Sequence, residues 1–283
     1  MHFTFYYLHA RIKVHLNNRP SCGGYSPLFY ENEVTAMTME EMQRKLEQVE
    51  HEAAKARIHQ EVANVMGKYC FYHTANMWPE KNALMAWDVP GVREEGMQGV
   101  SLKPHSMPEF KADGTPNHQG FLNIHALTNP VIEVADDLKS AKGAWVCPGV
   151  ETNNFKAPKG YWAWMKYAAD FIPVNGEWKI YHLHAYSIFM CPYDKCWTDV
   201  PAYNPRVRDM DGNPLPEGGM GKPDPDMLKA MGLDPNEPMP EKKDDGQLPP
   251  TTPVYEYSAT AVYPKDQPPM PEKYTTLSET FEY

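Results

Sequence analysis

The sequence predicts an α+β fold in which one long helix precedes a curved antiparallel sheet. Two observations lead to this class. Apolar residues recur at helical spacing from Met42 to Tyr72. Aromatic and β-branched runs, separated by turn signals, then fill the chain from about residue 120 to residue 190. A helix followed by consecutive antiparallel strands is typical of an architecture in which the helix packs on the concave face of the sheet.

The helix is predicted to begin at a capping box. Thr38 is followed three residues later by Glu41, so each side chain can accept a hydrogen bond from the backbone N–H of the other residue. The first half of the segment is strongly charged, whereas one face of the second half, from Ile58 to His73, is apolar. His73 continues this apolar face and is therefore expected to point toward the core.

Four runs predict the strands, at 121–134, 141–150, 160–174 and 177–190. The last two runs are joined by Asn175 and Gly176, and this dipeptide is the strongest short-range hairpin signal in the chain, because both central residues of such a turn need a positive φ. A glycine within a strand indicates that another group approaches the backbone closely, and Gly143 is such a residue.

Proline separates the last third of the chain from the rest. Sixteen of the 28 prolines lie in 201–271, which excludes a regular helix or a central strand there. Aromatic residues return within it at Tyr255, Tyr257 and Tyr263, so we expect an ordered arm that packs on its own domain or on a second subunit. The predicted organisation is an irregular N-terminal extension at 1–38, an α+β domain at 39–198 and a proline-rich arm at 199–283.

Composition excludes several classes of function. The formal charge is −10, from 37 acidic and 27 basic residues, and no Lys/Arg cluster is long enough to follow a nucleic acid. No apolar run approaches the ~18 residues that a membrane span needs, and no secretory signal is evident. Five scattered cysteines favour a reducing compartment. We therefore expect a cytoplasmic protein without nucleic-acid or membrane partners.

Three segments of the domain resemble a known family. They are KYCFYHTANMW at the end of the helix, NIHALTNPVIEV followed by AKGAW, and NGEWKIYHLHAY. Together they resemble the SnoaL-like branch of the nuclear-transport-factor-2-like superfamily, and in pattern its scytalone dehydratases, over roughly 45–195. The resemblance implies a cone-shaped α+β barrel whose sheet wraps helices around a deep apolar pocket. Members include cofactor-free dehydratases, cyclases, isomerases and lyases, besides non-catalytic binders.

The resemblance also implies a set of catalytic residues. The strand histidine of the dehydratase pattern falls on His125, and the second catalytic histidine falls near Glu151. The Tyr-Asp pair of the helix falls on His73 and Thr74, so the aspartate is missing. We expect His125 to be the principal base, Glu151 to orient it, and His73 to serve as a second acid or oxyanion partner, because an imidazole exchanges protons near neutrality.

Aromatic and polar residues are expected to position the substrate. Stacking surfaces with fixed polar groups favour a small aromatic or phenolic compound. If Tyr167 faces inward, strand alternation places Tyr161 on the same face. Arg93 lies near another pocket position of the dehydratase pattern and is a candidate to hold a phenolate or carboxylate. The full predicted set of substrate-binding residues is Tyr69, Tyr72, Arg93, Asn129, Trp145, Tyr161 and Tyr167.

The predicted function is a cofactor-free lyase, dehydratase or isomerase that works by acid/base catalysis in a homodimer or homotrimer. Two alternatives stay open. His182 and His184 share one strand face and are able to bind a metal if His125 or Glu151 supplies a third ligand. The register taken from the dehydratase pattern instead turns these two histidines away from the pocket. The other alternative is a non-catalytic small-molecule-binding protein of the same fold.

Overall fold

The computed structural model describes residues 37–96, 99–104, 114, 116, 118–153, 157–199, 257–265 and 267–278. The chain divides into two compact units, Met1–Arg44 and Lys45–Tyr283. The predicted extension at 1–38 lies almost entirely outside the described residues, and so does the proximal part of the arm, 200–256.

In the described residues, two helices precede the strands. Helix α1 spans Met39–Thr74 and helix α2 spans Trp78–Asn82. The predicted capping box is present, because the Glu41 N–H donates to Thr38 Oγ1 at 3.1 Å and the Thr38 N–H donates to Glu41 Oε2 at 2.8 Å. A tight connection follows α1, in which Asn76 takes a positive φ of 56°. The predicted long helix is therefore confirmed, and it ends one residue after His73.

Within the described ranges, eight strands form one sheet. They are β1 Arg93–Gly96, β2 Gly99–Ser101, β3 Leu122–His125, β4 Val131–Val134, β5 Ala141–Cys147, β6 Gly149–Asn153, β7 Lys159–Val174 and β8 Glu177–Pro192. The strand order is β2-β1-β8-β7-β5-β4, with β6 paired to β7 and β3 paired to β6. Asn175 and Gly176 have φ values of 53° and 84°, which confirms the predicted turn of the β7–β8 hairpin.

One edge of the sheet departs from the prediction. Strand β1 runs parallel to β8, whereas all other pairings are antiparallel. The sequence predicts neither β1 nor β2, because strands of four and three residues are too short to show a hydrophobic alternation. The prediction of an α+β fold with a bent antiparallel sheet is otherwise confirmed.

The core lies between the second half of α1 and one face of the sheet, which we call the inner face. Val62, Met66 and Tyr69 of the helix are buried against it. Alternation along β7 turns Tyr167 to this inner face and Asp170 to the opposite one, the outer face. The predicted close approach at Gly143 is made by the Trp145 ring, which occupies the space where a side chain at residue 143 would lie.

The described part of the arm packs on the outer face. The Tyr257 N–H donates to Ile188 O at 2.7 Å, and the Lys166 Nζ lies 4.4 Å from the centre of the Tyr263 ring. Farther along, the Tyr274 hydroxyl is hydrogen-bonded to Ser140 at 3.0 Å. These residues therefore fasten the end of the arm to its own domain. In the described ranges, no helix is long and apolar enough to cross a membrane.

Candidate active site

The site is centred on His125, the last residue of β3. The neighbouring strand β6 places Gly149 opposite His125 and Glu151 opposite Asn123. A side chain at Gly149 would start 2.8 Å from the Ala163 carbonyl oxygen and 3.1 Å from the His125 ring, so glycine lets β3, β6 and β7 approach here. The His125 Nε2 then lies 2.9 Å from Glu151 Oε1, which makes the predicted pair a direct hydrogen bond.

Tyr167 of β7 holds the other side of the same ring. Its hydroxyl lies 3.1 Å from His125 Nδ1. Burial, followed by the nearby Cys70 thiol, raises the pKa of Tyr167 well above its usual value, so the phenol keeps its proton. The neutral arrangement that satisfies all three groups has the Tyr167 O–H donating to Nδ1 and the His125 Nε2–H donating to the Glu151 carboxylate.

His73 brings a second imidazole to the site from the last turn of α1. Its ring stacks on His125 with a centroid separation of 4.8 Å and an interplanar angle of 25°. It also stacks on Tyr69, with a centroid separation of 6.3 Å. The helix and the sheet therefore contribute one histidine each to a single contact, as the direction of the apolar helix face predicts.

A buried ion pair next to this contact was not predicted. The Lys81 Nζ lies 2.8 Å from Glu94 Oε1, and the Tyr69 hydroxyl donates to the same carboxylate oxygen. The side chains of Lys81 and Glu94 are only 2% and 11% exposed. Burial, and after it the charge of Glu94, raise the pKa of Tyr69, so this phenol also stays protonated. The sequence signal is weak, since Glu94 is the middle residue of an Arg-Glu-Glu run in an unpredicted strand.

Several residues predicted to bind substrate lie away from this contact. Arg93 points to the outer face, where its NH2 group is 3.5 Å from Glu95, because alternation in β1 turns only Glu94 inward. Asn129 is exposed between β3 and β4. The Trp145 ring packs on Phe171 at 6.2 Å. Of the remaining two, Tyr72 is half-buried against Phe71, and Tyr161 is buried opposite Glu151 in the β6–β7 register.

Comparison with known proteins identifies the domain that carries the site. Residues 54–184 match the model of the SnoaL-like domain. This segment belongs to the SnoaL-like family. The matched residues contain α2, most of the sheet and every residue of the His125 contact. The family that the sequence segments predicted is therefore confirmed.

Solved structures with a similar arrangement are distant in sequence. A protein from Novosphingobium aromaticivorans, provisionally named scytalone dehydratase, is 18% identical, with coverage of 54% of this chain and 96% of that one and a TM-score of 0.37. The hexachlorocyclohexane dehydrochlorinase LinA-type3 from Novosphingobium barchaimii is 11% identical, with coverage of 51% and 96% and a TM-score of 0.38. No curated protein matches the sequence. Likenesses this distant say nothing about the reaction of this SnoaL-like domain.

His182 and His184 lie on the outer face of the SnoaL-like domain. The His182 Nδ1 is 2.7 Å from Asp170 Oδ2, and the His184 Nδ1 is 3.6 Å from Glu95 Oε2. The sheet separates both rings from His125 and Glu151, so neither of these two inner residues is placed to complete a metal site with them. In the part of the chain that the structure describes, no group of three or more His, Cys, Asp or Glu side chains is arranged to hold a metal ion.

Proposed function

We propose that the SnoaL-like domain is a cofactor-free lyase or isomerase that moves a proton on a small aromatic or phenolic compound. The observation that carries this proposal is the position of His125. Its two ring nitrogens bond a carboxylate and a phenol, and a second imidazole stacks on its face. An imidazole in contact with a carboxylate is suited to accept and return a proton near neutral pH.

The geometry suggests how the proton moves. His125 accepts a proton at Nε2, on the side of Glu151, when its resting proton has moved to Nδ1 and donates to the Tyr167 oxygen. The resulting imidazolium remains 2.9 Å from the Glu151 carboxylate, which stabilises the positive charge. In an elimination, the electron pair of the broken C–H bond forms the new double bond. The leaving oxygen then departs with a proton supplied by His125 or His73. In an isomerisation, the same proton returns to a different carbon.

One observation favours a second candidate, a non-catalytic binding protein of the same fold. Both ring nitrogens of His125 already have partners within the chain. A substrate therefore has to displace Glu151 or Tyr167, or exchange its proton through one of these two side chains.

The side chain of Glu151 is 20% exposed, whereas that of His125 is 6% exposed. We therefore expect the substrate proton to enter the pair on the side of Glu151.

A generic proton-abstraction probe separates these two functions. The compound 5-nitrobenzisoxazole opens to a coloured phenolate when a base removes its C–H proton, so its rate reports a base without requiring the natural substrate. We expect the wild-type protein to accelerate this reaction. His125→Ala should lower the rate by about 10²–10⁴-fold, which is the usual contribution of a positioned general base.

The matched control is His182→Gln, because His182 also bonds a carboxylate but lies on the outer face. Its rate should stay within a few-fold of the wild-type rate, with far-UV circular dichroism showing that both variants are folded. A wild-type rate no higher than that of free imidazole would favour the binding protein. Equal rates for His125→Ala and His182→Gln would place the base elsewhere in the molecule.

A further inference from the structure

A row of ring contacts leads from His125 toward the surface. His73 contacts His125 at 4.8 Å, Trp78 contacts His73 at 5.6 Å, and His118 contacts Trp78 at 5.9 Å, all between ring centres. His125 is buried, whereas His73, Trp78 and His118 are half-buried. The row therefore joins the buried His125 ring to three half-buried rings, and a small molecule can approach His125 along it.

The outer end of the row is closed by a hydrogen bond between two separate segments. The Trp78 Nε1–H, at the start of α2, donates to His118 Nε2 at 3.0 Å. His118 belongs to the turn that precedes β3, where its ring also meets Phe121 edge-on at 6.1 Å. An indole nitrogen is a donor only, so His118 must present the lone pair of Nε2, and the bond exists only while this imidazole is neutral.

Trp78 also contacts the buried Lys81–Glu94 ion pair of the site. The Lys81 Nζ lies 5.1 Å from the Trp78 ring and is itself bound to Glu94 at 2.8 Å. Lys81, which contacts Trp78 on this side, is part of the buried ion pair, whereas the hydrogen bond to His118 joins Trp78 to a half-exposed turn. A break in the Trp78–His118 bond would thus weaken the link between the turn and α2, while Lys81 still contacts Trp78.

We propose that Trp78 and His118 form a gate at the entrance of the site, and that a planar aromatic ring enters by replacing His118 against the Trp78 indole. The substrate class rests on the proposed function, whereas the gate itself rests on the ring contacts and the hydrogen bond. Stacking on an indole face suits a flat ring, which explains how the entrance selects an aromatic compound.

The gate is sensitive to acid. Protonated His118 carries N–H groups on both nitrogens, so its Nε2 then opposes the Trp78 N–H donor and the bond is lost. Burial lowers the pKa of His118, so the bonded neutral form persists somewhat below the usual value of about 6.5. The groups that face this ring in the described chain are Trp78 from α2 and Phe121 from its own segment, with the Lys81 ammonium behind Trp78. The gate therefore opens as the pH falls through the lowered pKa.

Modification of His73 by diethyl pyrocarbonate tests the gate without any turnover. Peptide mass spectrometry measures the rate at each histidine at pH 7, with exposed His59 and buried His182 as internal references. His118→Phe keeps a ring but removes the acceptor, and His118→Gln restores an acceptor. We expect His73 to react about fivefold faster in His118→Phe, which matches the loss of one hydrogen bond, and near the wild-type rate in His118→Gln.

Trp162→Phe is the control for loss of an indole, because Trp162 stacks on Tyr193 at 5.2 Å, away from this row. The pH dependence is read from the indole N–H signal of Trp78, identified by its absence in Trp78→Phe. That signal should move with a midpoint below pH 6.5 in the wild type and stay fixed in His118→Phe. A His73 rate in His118→Phe equal to that of the wild type overturns the gate, even if the benzisoxazole reaction succeeds. If the benzisoxazole reaction fails but His73 reacts at the expected rates, the proposed proton transfer is wrong and the gate is still supported.

Discussion

The two faces of the sheet each carry a histidine bonded to a carboxylate, and the surroundings of the two pairs differ. On the outer face His182 bonds Asp170 at 2.7 Å and the Gly91 carbonyl oxygen at 3.2 Å. The Lys142 Nζ also forms an ion pair with Asp170 Oδ1, at 3.3 Å. On the inner face the second nitrogen of His125 meets a phenol, which is able to donate or accept, and its carboxylate partner reaches solvent.

This difference indicates which pair is suited to chemistry. A carboxylate and a backbone carbonyl oxygen both only accept hydrogen bonds, so His182 makes its two bonds only as a donor at both ring nitrogens. The phenol of Tyr167 allows His125 to change its protonation state without losing a hydrogen bond. A short histidine–carboxylate contact is therefore weak evidence for catalysis, and the partner of the second nitrogen discriminates better.

The largest expected effect concerns the outer carboxylate. Asp170→Asn removes the charge that compensates Lys142 and bonds His182, in a side chain that is 2% exposed. We expect the free energy of unfolding in urea to fall by about 3–5 kcal/mol, which is typical when one partner of a buried charged group is removed.

Glu151→Gln is the matched inner variant. Its side chain is 20% exposed, so water replaces part of the lost interaction and we expect a loss of about 1 kcal/mol or less. The benzisoxazole rate should nevertheless fall. Equal losses of stability in the two variants would mean that the inner pair is as structural as the outer pair.

A smaller effect is expected from the glycine beside the inner pair. Gly149→Ala places a methyl group 2.8 Å from the Ala163 carbonyl oxygen and 3.1 Å from the His125 ring, so β6 must shift. We expect a loss of about 1–3 kcal/mol in the free energy of unfolding, as for other overpacked sites, together with a lower benzisoxazole rate.

Gly67→Ala provides the control on helix α1, where nothing lies within 4 Å of the added methyl group. This change should raise the free energy of unfolding by about 0.5–1 kcal/mol, since alanine loses less backbone entropy in a helix. A neutral result for Gly149→Ala would show that the three strands do not need glycine to hold His125.

The features that the sequence predicts well are those set by local chemistry. The capping box at Thr38, the helical period that directs His73 inward and the Asn175-Gly176 turn each depend on neighbouring residues. Alternation along β7 likewise places Tyr161 and Tyr167 on one face, because the period of a strand is two.

The features that the sequence does not predict depend on contacts between distant segments. Glu94 contacts Lys81 only because the four-residue strand β1 pairs in parallel with β8. An Arg-Glu-Glu run contains no sequence pattern that predicts this pairing. The same strand turns Arg93 outward, which the resemblance could not reveal. His118 meets Trp78 across 40 positions of sequence. The catalytic roles assigned to His125, Glu151 and His73 stay predictions.

A further small effect tests whether the arm supports the outer pair. The Tyr274 hydroxyl bonds Ser140 at 3.0 Å, and its ring lies 5.9 Å from the Lys142 Nζ, which also forms an ion pair with Asp170. Tyr274→Phe keeps the ring and removes the hydroxyl, so we expect a loss of about 1 kcal/mol in the free energy of unfolding, the usual value for one hydrogen bond. Tyr193→Phe is the control, because the Tyr193 side chain is exposed, and its effect on the free energy of unfolding should stay below about 0.5 kcal/mol.

If Tyr274→Phe and Asp170→Asn are combined, their losses of stability should not add, since both changes act on the environment of Lys142. Strictly additive losses would show that the arm is fastened to the sheet without contributing to the outer pair, and the contrast between the two faces would then rest on the sheet alone.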